Sequence, residues 1–196
     1  MRTRLRPAYT TQELTDVYPV QYDHTRWVDH VARVEATIAF ARRITPPPES
    51  IADLSCGDGA IPLGIADWAR SKLGHPVALV LGDLVGGWSI HGRIEDTVAI
   101  LPEVDLYVCS ETVEHLDDPD AILSAIGTKA TTLLLTTPLG ETGTENPEHY
   151  WGWDEQGVAD MLEGTGWEPL ASTAWAYTPL PYYTFQFWLA RRAVAL

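Results

Sequence analysis

Ser50 to Ile65 reads S-I-A-D-L-S-C-G-D-G-A-I-P-L-G-I. Its apolar run, Ile51 to Leu54, has the composition of a buried parallel strand. The pattern breaks at Cys56-Gly57-Asp58-Gly59 and resumes at Ala60 to Ala66 as the opening of a helix. Two glycines at a strand-to-helix junction let the backbone turn sharply and approach a ligand without a Cβ in the way. The helix start then offers unpaired N–H groups and a positive dipole end to an anionic group. In open α/β sheets, ligands sit beyond the carboxyl ends of the strands at such corners. Two other glycine loops are set aside: no Lys-Ser/Thr follows Gly59, and Pro62 stands where the G-x-G-x-x-G pattern needs its third glycine.

Working outward, Thr10 to Leu14 forms a capped helix start that Tyr18-Pro19 ends. Trp27, Val31, Val34, Ile38 and Ala41 lie three and four apart, which predicts one amphipathic helix from Trp27 to Ile44, stopped by Pro46-Pro47-Pro48. A helix from Ala60 to about Lys72 exits at Gly74-His75-Pro76. Further strands are predicted at Val77–Leu81, ending in Gly82-Asp83, and at Ser89–Ile94, Val104–Cys109 and Thr131–Thr136. Asp118-Pro119 opens a helix to about Ile126, and Asp154 caps another to about Gly164. A Gly/Pro/Asn-rich loop covers Pro138 to Trp153. Trp167–Tyr177 and Thr184–Arg191, separated by Pro179 and Pro181, close the series as two strands; the aromatic run from Tyr182 and Tyr183 to Trp188 is sheet core. Alternating strands and helices followed by two consecutive strands predict a doubly wound, Rossmann-like α/β fold. Its seven-stranded sheet is mostly parallel with an antiparallel terminal hairpin.

The 196 residues fit one domain: N-terminal helices over 1–48 covering a site, and a core over 49–196. No run of about 18 apolar residues is present, and no apolar signal core follows Met1, so a cytoplasmic location is the default and no membrane is involved. Cys56 and Cys109 have no metal-ligand spacing and read as reduced structural thiols. With 13 basic and 27 acidic residues the net charge is −14. Arginines dominate up to Arg43, whereas Ile94 to Pro169 carries one cation, Lys129. Long nucleic acids, whose binding draws on cations placed against phosphates, are therefore not expected as partners. No feature of the sequence sets an oligomeric state.

Asp53-Leu54-Ser55-Cys56-Gly57-Asp58-Gly59 resembles motif I of the class I S-adenosylmethionine-dependent methyltransferases, D-L-G-C-G-x-G, with Ser55 in place of the first glycine. The resemblance implies that Asp53, Ser55, Cys56, Gly57 and Gly59 surround S-adenosylmethionine. Asp83 matches the acidic position that binds the cofactor ribose; a turn-forming Asp before Leu84 and Gly86-Gly87 is the alternative. Gly92 to Asp96 is similar to the segment flanking adenine, with Ile94 over the ring and Glu95 or Asp96 on its amine; a solvated helix start is the alternative.

Asp105 to Pro119 resembles the D-x-x-x-x-x-E-x-x-E-H-L-x-D-P signature of the same superfamily and puts Ser110 beside the cofactor. Glu111, Glu114 and His115 fall at i, i+3 and i+4, so one helical turn would bring them to one side. Two carboxylates and an imidazole can hold a hard divalent cation or poise a base. His149, after the fifth strand, completes the likeness to ubiquinone-pathway O-methyltransferases and small-RNA 2′-O-methyltransferases. That likeness implies a metal set of Glu111, Glu114, His115 and His149, with Mg2+ as the ion, and catalytic roles for His115, His149 and Glu111; a salt-bridged cleft mouth is the other reading. Trp151 and Trp153 are either an acceptor wall or loop packing. Tyr18, Tyr22, His24 and His30 belong to the N-terminal region that often covers the cofactor in this family.

The resulting expectation is a methyltransferase (EC 2.1.1) that moves a methyl group from S-adenosylmethionine to a small-molecule acceptor, by O-methylation. The alternative is a non-catalytic cofactor-binding or interaction module that keeps the fold.

Overall fold

The computed structural model describes residues 1–143, 146–178 and 184–193. Pro179, Pro181, Tyr182 and Tyr183 of the expected hairpin lie outside the described residues. In chain order the elements are β1 (Arg2–Arg4), α1 (Thr11–Val17), α2 (Val28–Ala41), β2 (Ser50–Asp53), α3 (Ala60–Leu73), β3 (Ala78–Asp83), β4 (Ile90–His91) and α4 (Ile94–Thr97). They continue as β5 (Val104–Ser110), α5 (Pro119–Gly127), β6 (Ala130–Pro138), β7 (Trp151–Trp153), α6 (Glu155–Gly164), β8 (Trp167–Ala176) and β9 (Thr184–Arg192).

One seven-stranded sheet has the order β4-β3-β2-β5-β6-β9-β8. Every neighbouring pair is parallel except those of β9, which runs antiparallel between β6 and β8. Chain order reverses between β2 and β5, and both carboxyl ends there are followed by the segments singled out in the sequence. Strand alternation sorts the core into two layers. Leu106 and Val108 face α2 and α3 with Val34, Phe40, Ile61 and Ile65. Tyr107 and Cys109 face α4, α5 and α6 with Ile94, Leu123, Val158 and Leu162. That period of two across β5 is what a sheet covered on both faces demands.

Local signals set the helix ends. Thr10 and Glu13 form a reciprocal capping box at α1, and Asp154 accepts the Gly157 N–H at 2.8 Å to start α6. Helix α2 is capped at Trp27 and ends at Ala41, three residues before the expected Ile44. Its apolar stripe is buried only at Val34 and Ala41, while Trp27 and Val31 are exposed at the end nearest the cavity.

Three expectations are corrected. The strand expected over Ser89–Ile94 is two residues long, because Gly92 at φ +131 turns the chain and Arg93 caps α4, placing Ile94 and Glu95 on a helix. The loop from Pro138 to Trp153 ends in β7, which pairs with β1 at the chain's start. No α-helical turn carries Glu111, Glu114 and His115. Glu111 adopts a left-handed backbone at φ +52, and only a short 3-10 turn, Val113–His115, follows. Among the described residues no helix is long and apolar enough to cross a membrane.

Candidate active site

A cavity of about 970 Å³ opens at the carboxyl ends of β2, β3 and β5, under a cover formed by residues after α1 and the start of α2. Its first end is the glycine corner. Gly57 and Gly59 both have left-handed backbones, at φ +55 and +79. The Gly57 N–H donates to Asp83 Oδ2 at 2.6 Å, and the Gly57 carbonyl accepts from the Gln21 amide and the Trp88 indole, each at 2.7 Å. His24 pins the cover to the same corner through its backbone N–H and Nδ1, 2.9 and 2.6 Å from the Asp58 carboxylate. A Cβ on Gly57 would stand 3.1 Å from His24 and 3.2 Å from Tyr22. On Gly59 it would stand 3.0 Å from Trp88. Gly57 therefore excludes a side chain through the cover packed on it, and Gly59 through Trp88.

Asp83 stands at the turn and at the cavity wall. It organises the turn by accepting the Gly57 and Val85 N–H groups, and it lines the cavity. Burial pushes its carboxyl up, against the pull of those backbone donors. Ser55, Gly57, Ile94, Glu95 and Ser110 also line the cavity, whereas Asp53, Cys56 and Gly59 do not. Asp53 is buried beneath the corner and accepts the Ser55 N–H at 2.9 Å; burial lifts its carboxyl to about 7. Cys56 and Cys109 are buried free thiols. Glu95 is engaged by Arg93 Nη2 at 2.7 Å.

The second end holds the histidines. Glu114, His115 and His149 each bring a ligand atom within 4.8 Å of the other two. Glu111 is not in this group: its left-handed backbone turns the carboxylate toward β6, where the Thr136 hydroxyl donates to Oε1 at 2.8 Å, with Arg33 3.9 Å away. Glu114 is fully buried; one oxygen accepts from the Thr137 hydroxyl at 3.1 Å, and Oε1 has no partner among the described residues. Burial, with Glu111 nearby, holds the Glu114 carboxyl well above its ordinary range. His115 Nδ1 lies 3.0 Å from the Glu148 carbonyl, so it donates and leaves Nε2 as an acceptor. Burial and the neighbouring His149 push His115 down to about 3.

His149 has a partner that no motif marked. Its Nδ1 lies 2.5 Å from Glu141 Oε2, and both side chains are buried. Asn146 Nδ2 is 3.1 Å from Nε2 on the opposite side of the ring. The carboxylate makes Nδ1 the protonated nitrogen and leaves Nε2 basic. The loop that carries this pair is held by the N-terminal arm. Arg6 donates to the Gly143 and Pro147 carbonyls at 2.6 and 2.7 Å, and the Leu5 N–H to Tyr150 at 2.7 Å. Arg2 and Arg4 pair with Asp120 and Asp117, so the basic N-terminus answers the acidic stretch seen in the sequence. Trp151 and Trp153 stack on each other under the Arg2 guanidinium, Trp153 being fully buried; they pack the loop and do not line the cavity. Tyr18, Tyr22, His24 and His30 all line it.

No protein-family model and no curated protein sequence matches this chain. Solved structures do. The 1,6-didemethyltoxoflavin-N1-methyltransferase of Burkholderia thailandensis, bound to its substrate and S-adenosylhomocysteine, aligns at TM-score 0.66 with 14% identity over 96% of this chain and 93% of its own. The 4+2 cyclase SpnF aligns at 0.64 with 14% identity over 98% and 100%. Magnesium protoporphyrin IX methyltransferase from Synechocystis PCC 6803, with bound S-adenosylhomocysteine, aligns at 0.60 with 14% identity over 85% and 84%. The chain therefore has the Rossmann-like class I methyltransferase fold, a fold that also carries a cyclase.

Proposed function

We propose that the cavity binds S-adenosylmethionine and that the chain transfers its methyl group to a hydroxyl of a small acceptor. The observation that carries this reading is one continuous cavity reaching from Asp83 and Glu95 to His115 and His149. Asp83 suits a ribose diol, Ile94 and Leu84 offer apolar cover for a base, and the glycine corner leads into the N-terminus of α3. The cofactor would supply a methyl group that is already electrophilic. The chain aligns the acceptor and excludes water, which the cover over residues 17–33 is placed to do. His149 Nε2 takes the hydroxyl proton once the Asn146 amide yields to the acceptor, and Glu141 stabilises the imidazolium that forms. His115, neutral at physiological pH, offers a second acceptor for the same hydroxyl.

A small acceptor is supported by the cavity, which stands near the top of the roughly 300–1,000 Å³ range of small-molecule sites, and by the −14 charge. Toxoflavin and porphyrin precursors, named with two of the similar structures, are small molecules too. Oxygen as the methylated atom rests on the E-x-x-E-H likeness and on a base with a carboxylate behind it. The test is transfer of labelled methyl from S-adenosylmethionine to fractionated metabolites, beside calorimetry with S-adenosylhomocysteine and with NAD as the control. A folded chain that binds no S-adenosylhomocysteine overturns the reading. Binding without transfer to any fraction favours the runner-up, a non-catalytic cofactor-binding or interaction module that keeps the fold.

The unpartnered, buried Glu114 oxygen favours a second reading of the histidine end, a divalent cation held by Glu114, His115 and His149. With two imidazoles and one carboxylate, the set suits zinc, manganese or iron better than the expected Mg2+, which prefers oxygen ligands. Calorimetric titration with zinc or manganese tests it. Glu114→Ala should lose binding and Glu111→Ala should keep it; no heat from the parent chain rules the cation out.

A further inference from the structure

Arg33, in the middle of α2, is a buried cation whose polar partners among the described residues are all distant. Its side chain is 6% exposed, and its nearest acceptors are the Ser110 hydroxyl at 3.5 Å and Glu111 Oε1 at 3.9 Å. Both lie beyond a strong charge-assisted bond, which runs at about 2.7–2.9 Å. The same Glu111 oxygen accepts the Thr136 hydroxyl at 2.8 Å, a far closer contact than the guanidinium makes. Other arginines of the chain differ: Arg93 at the cavity edge and Arg191 on the surface each hold a carboxylate at 2.7–2.8 Å. A guanidinium carries five donors in a fixed fork, and burying it without a matched anion costs several kcal/mol in ordinary cores. Here the fork lines the cavity, with its Cζ 5.3 Å from the Phe185 ring.

Its direct contacts lie on the other side of β2 from Asp83. Asp83 ends β3 and Ser55 follows β2, whereas Arg33 touches Ser110 at the end of β5 and Phe185 on β9. That is the histidine side of the sheet, where the proposed acceptor would lie. The Phe185 ring lies against it, and the Tyr22 and Trp27 rings line the same cavity. We infer that Arg33, helped by the Ser110 hydroxyl, binds a carboxylate on the acceptor, so that the substrate is a hydroxyl-bearing acid with an apolar, ring-sized body. The inference rests on the methyltransferase reading and adds the substrate class to it.

The test uses hydroxycinnamates and their amides as probes, titrated by calorimetry into the full chain with and without saturating S-adenosylhomocysteine. The acids should bind the parent chain roughly 10–100-fold tighter than the amides, as a desolvated charge-assisted pair implies. Arg33→Gln should erase that preference and Arg33→Lys should restore part of it, both variants keeping the parent's melting transition. Affinity for S-adenosylhomocysteine itself should be unchanged in Arg33→Gln. A loss of more than tenfold there would assign the carboxylate to the cofactor's amino-acid end and overturn the inference. So would a parent chain that favours acids no more than amides. Failure of S-adenosylhomocysteine to bind the parent chain strikes the methyltransferase reading alone, since the acid-over-amide comparison without it still stands.

Discussion

The glycine end of the cavity is built from neighbours in sequence, and the histidine end from distant ones. Gly57 and Asp83, joined at 2.6 Å, are 26 residues apart, within one strand-helix-strand unit. The loop bearing Glu141 and His149 is held by Arg6 bonding to Pro147 across 141 residues, and β1 pairs with β7. A site made from one supersecondary unit is stable wherever that unit folds. One made by an N-terminal arm depends on the whole sheet closing first, since the long loop costs entropy before its contacts form. The division suits the proposed chemistry, with cofactor binding on the local unit and acceptor chemistry on the long-range one.

Substitutions should separate the two ends. His149→Gln should lower turnover by roughly 10²–10⁴-fold, the loss expected for a missing base, while leaving S-adenosylhomocysteine affinity nearly intact. Glu141→Gln should lose part of the same rate, because Nδ1 keeps a hydrogen-bond partner but no compensating charge. Equal loss of cofactor affinity in either variant would join the two ends into one unit.

Asp53 tests the glycine end through pH. Its folded carboxyl titrates near 7, against 3.8 ordinarily. Between those values the native chain binds a proton that the unfolded chain has released, so stability falls as pH rises from about 4 to about 7 and levels off above. The slope contributed is at most about 1.4 kcal/mol per pH unit. Asp53→Asn should flatten that part of the denaturation profile; an unchanged profile would mean the buried carboxyl is not held up.

Asp83→Ala removes the anchor of the Gly57 N–H and should weaken S-adenosylhomocysteine binding by roughly 10–100-fold, in line with lost hydrogen bonds to a charged group. The smallest effect belongs to the arm. Arg6→Ala should cost on the order of 1 kcal/mol locally, read as faster hydrogen exchange in residues 141–150 with residues 55–59 unaffected. Faster exchange at both would contradict their independence.

What could be read from sequence follows the same line. Ser50 to Ile65 was legible because an apolar run, two glycines and a helix start are local signals, and β5 because Leu106 to Cys109 is the continuous apolar run that burial on both faces demands. The three-residue strands β1 and β7 leave no periodicity, and their pairing is visible only in three dimensions. Glu141 sits in a loop without a motif. Arg33 lies outside the apolar stripe of α2, and no spacing marks it as buried; only the structure shows it turned inward. The spacing of Glu111, Glu114 and His115 suggested one converging turn; the left-handed backbone at Glu111, a conformation spacing cannot reveal, divides them between Thr136 and the histidine cluster.

The most direct test is a crystal structure of the chain grown with S-adenosylhomocysteine. The ligand should lie with adenine against Ile94, ribose on Asp83 and its sulfur directed toward the end holding His149, leaving Arg33 and the aromatic side free for an acceptor. Density for the ligand outside this cavity, or lying across Arg33 and His149 with Asp83 untouched, would contradict the assignment of the two ends.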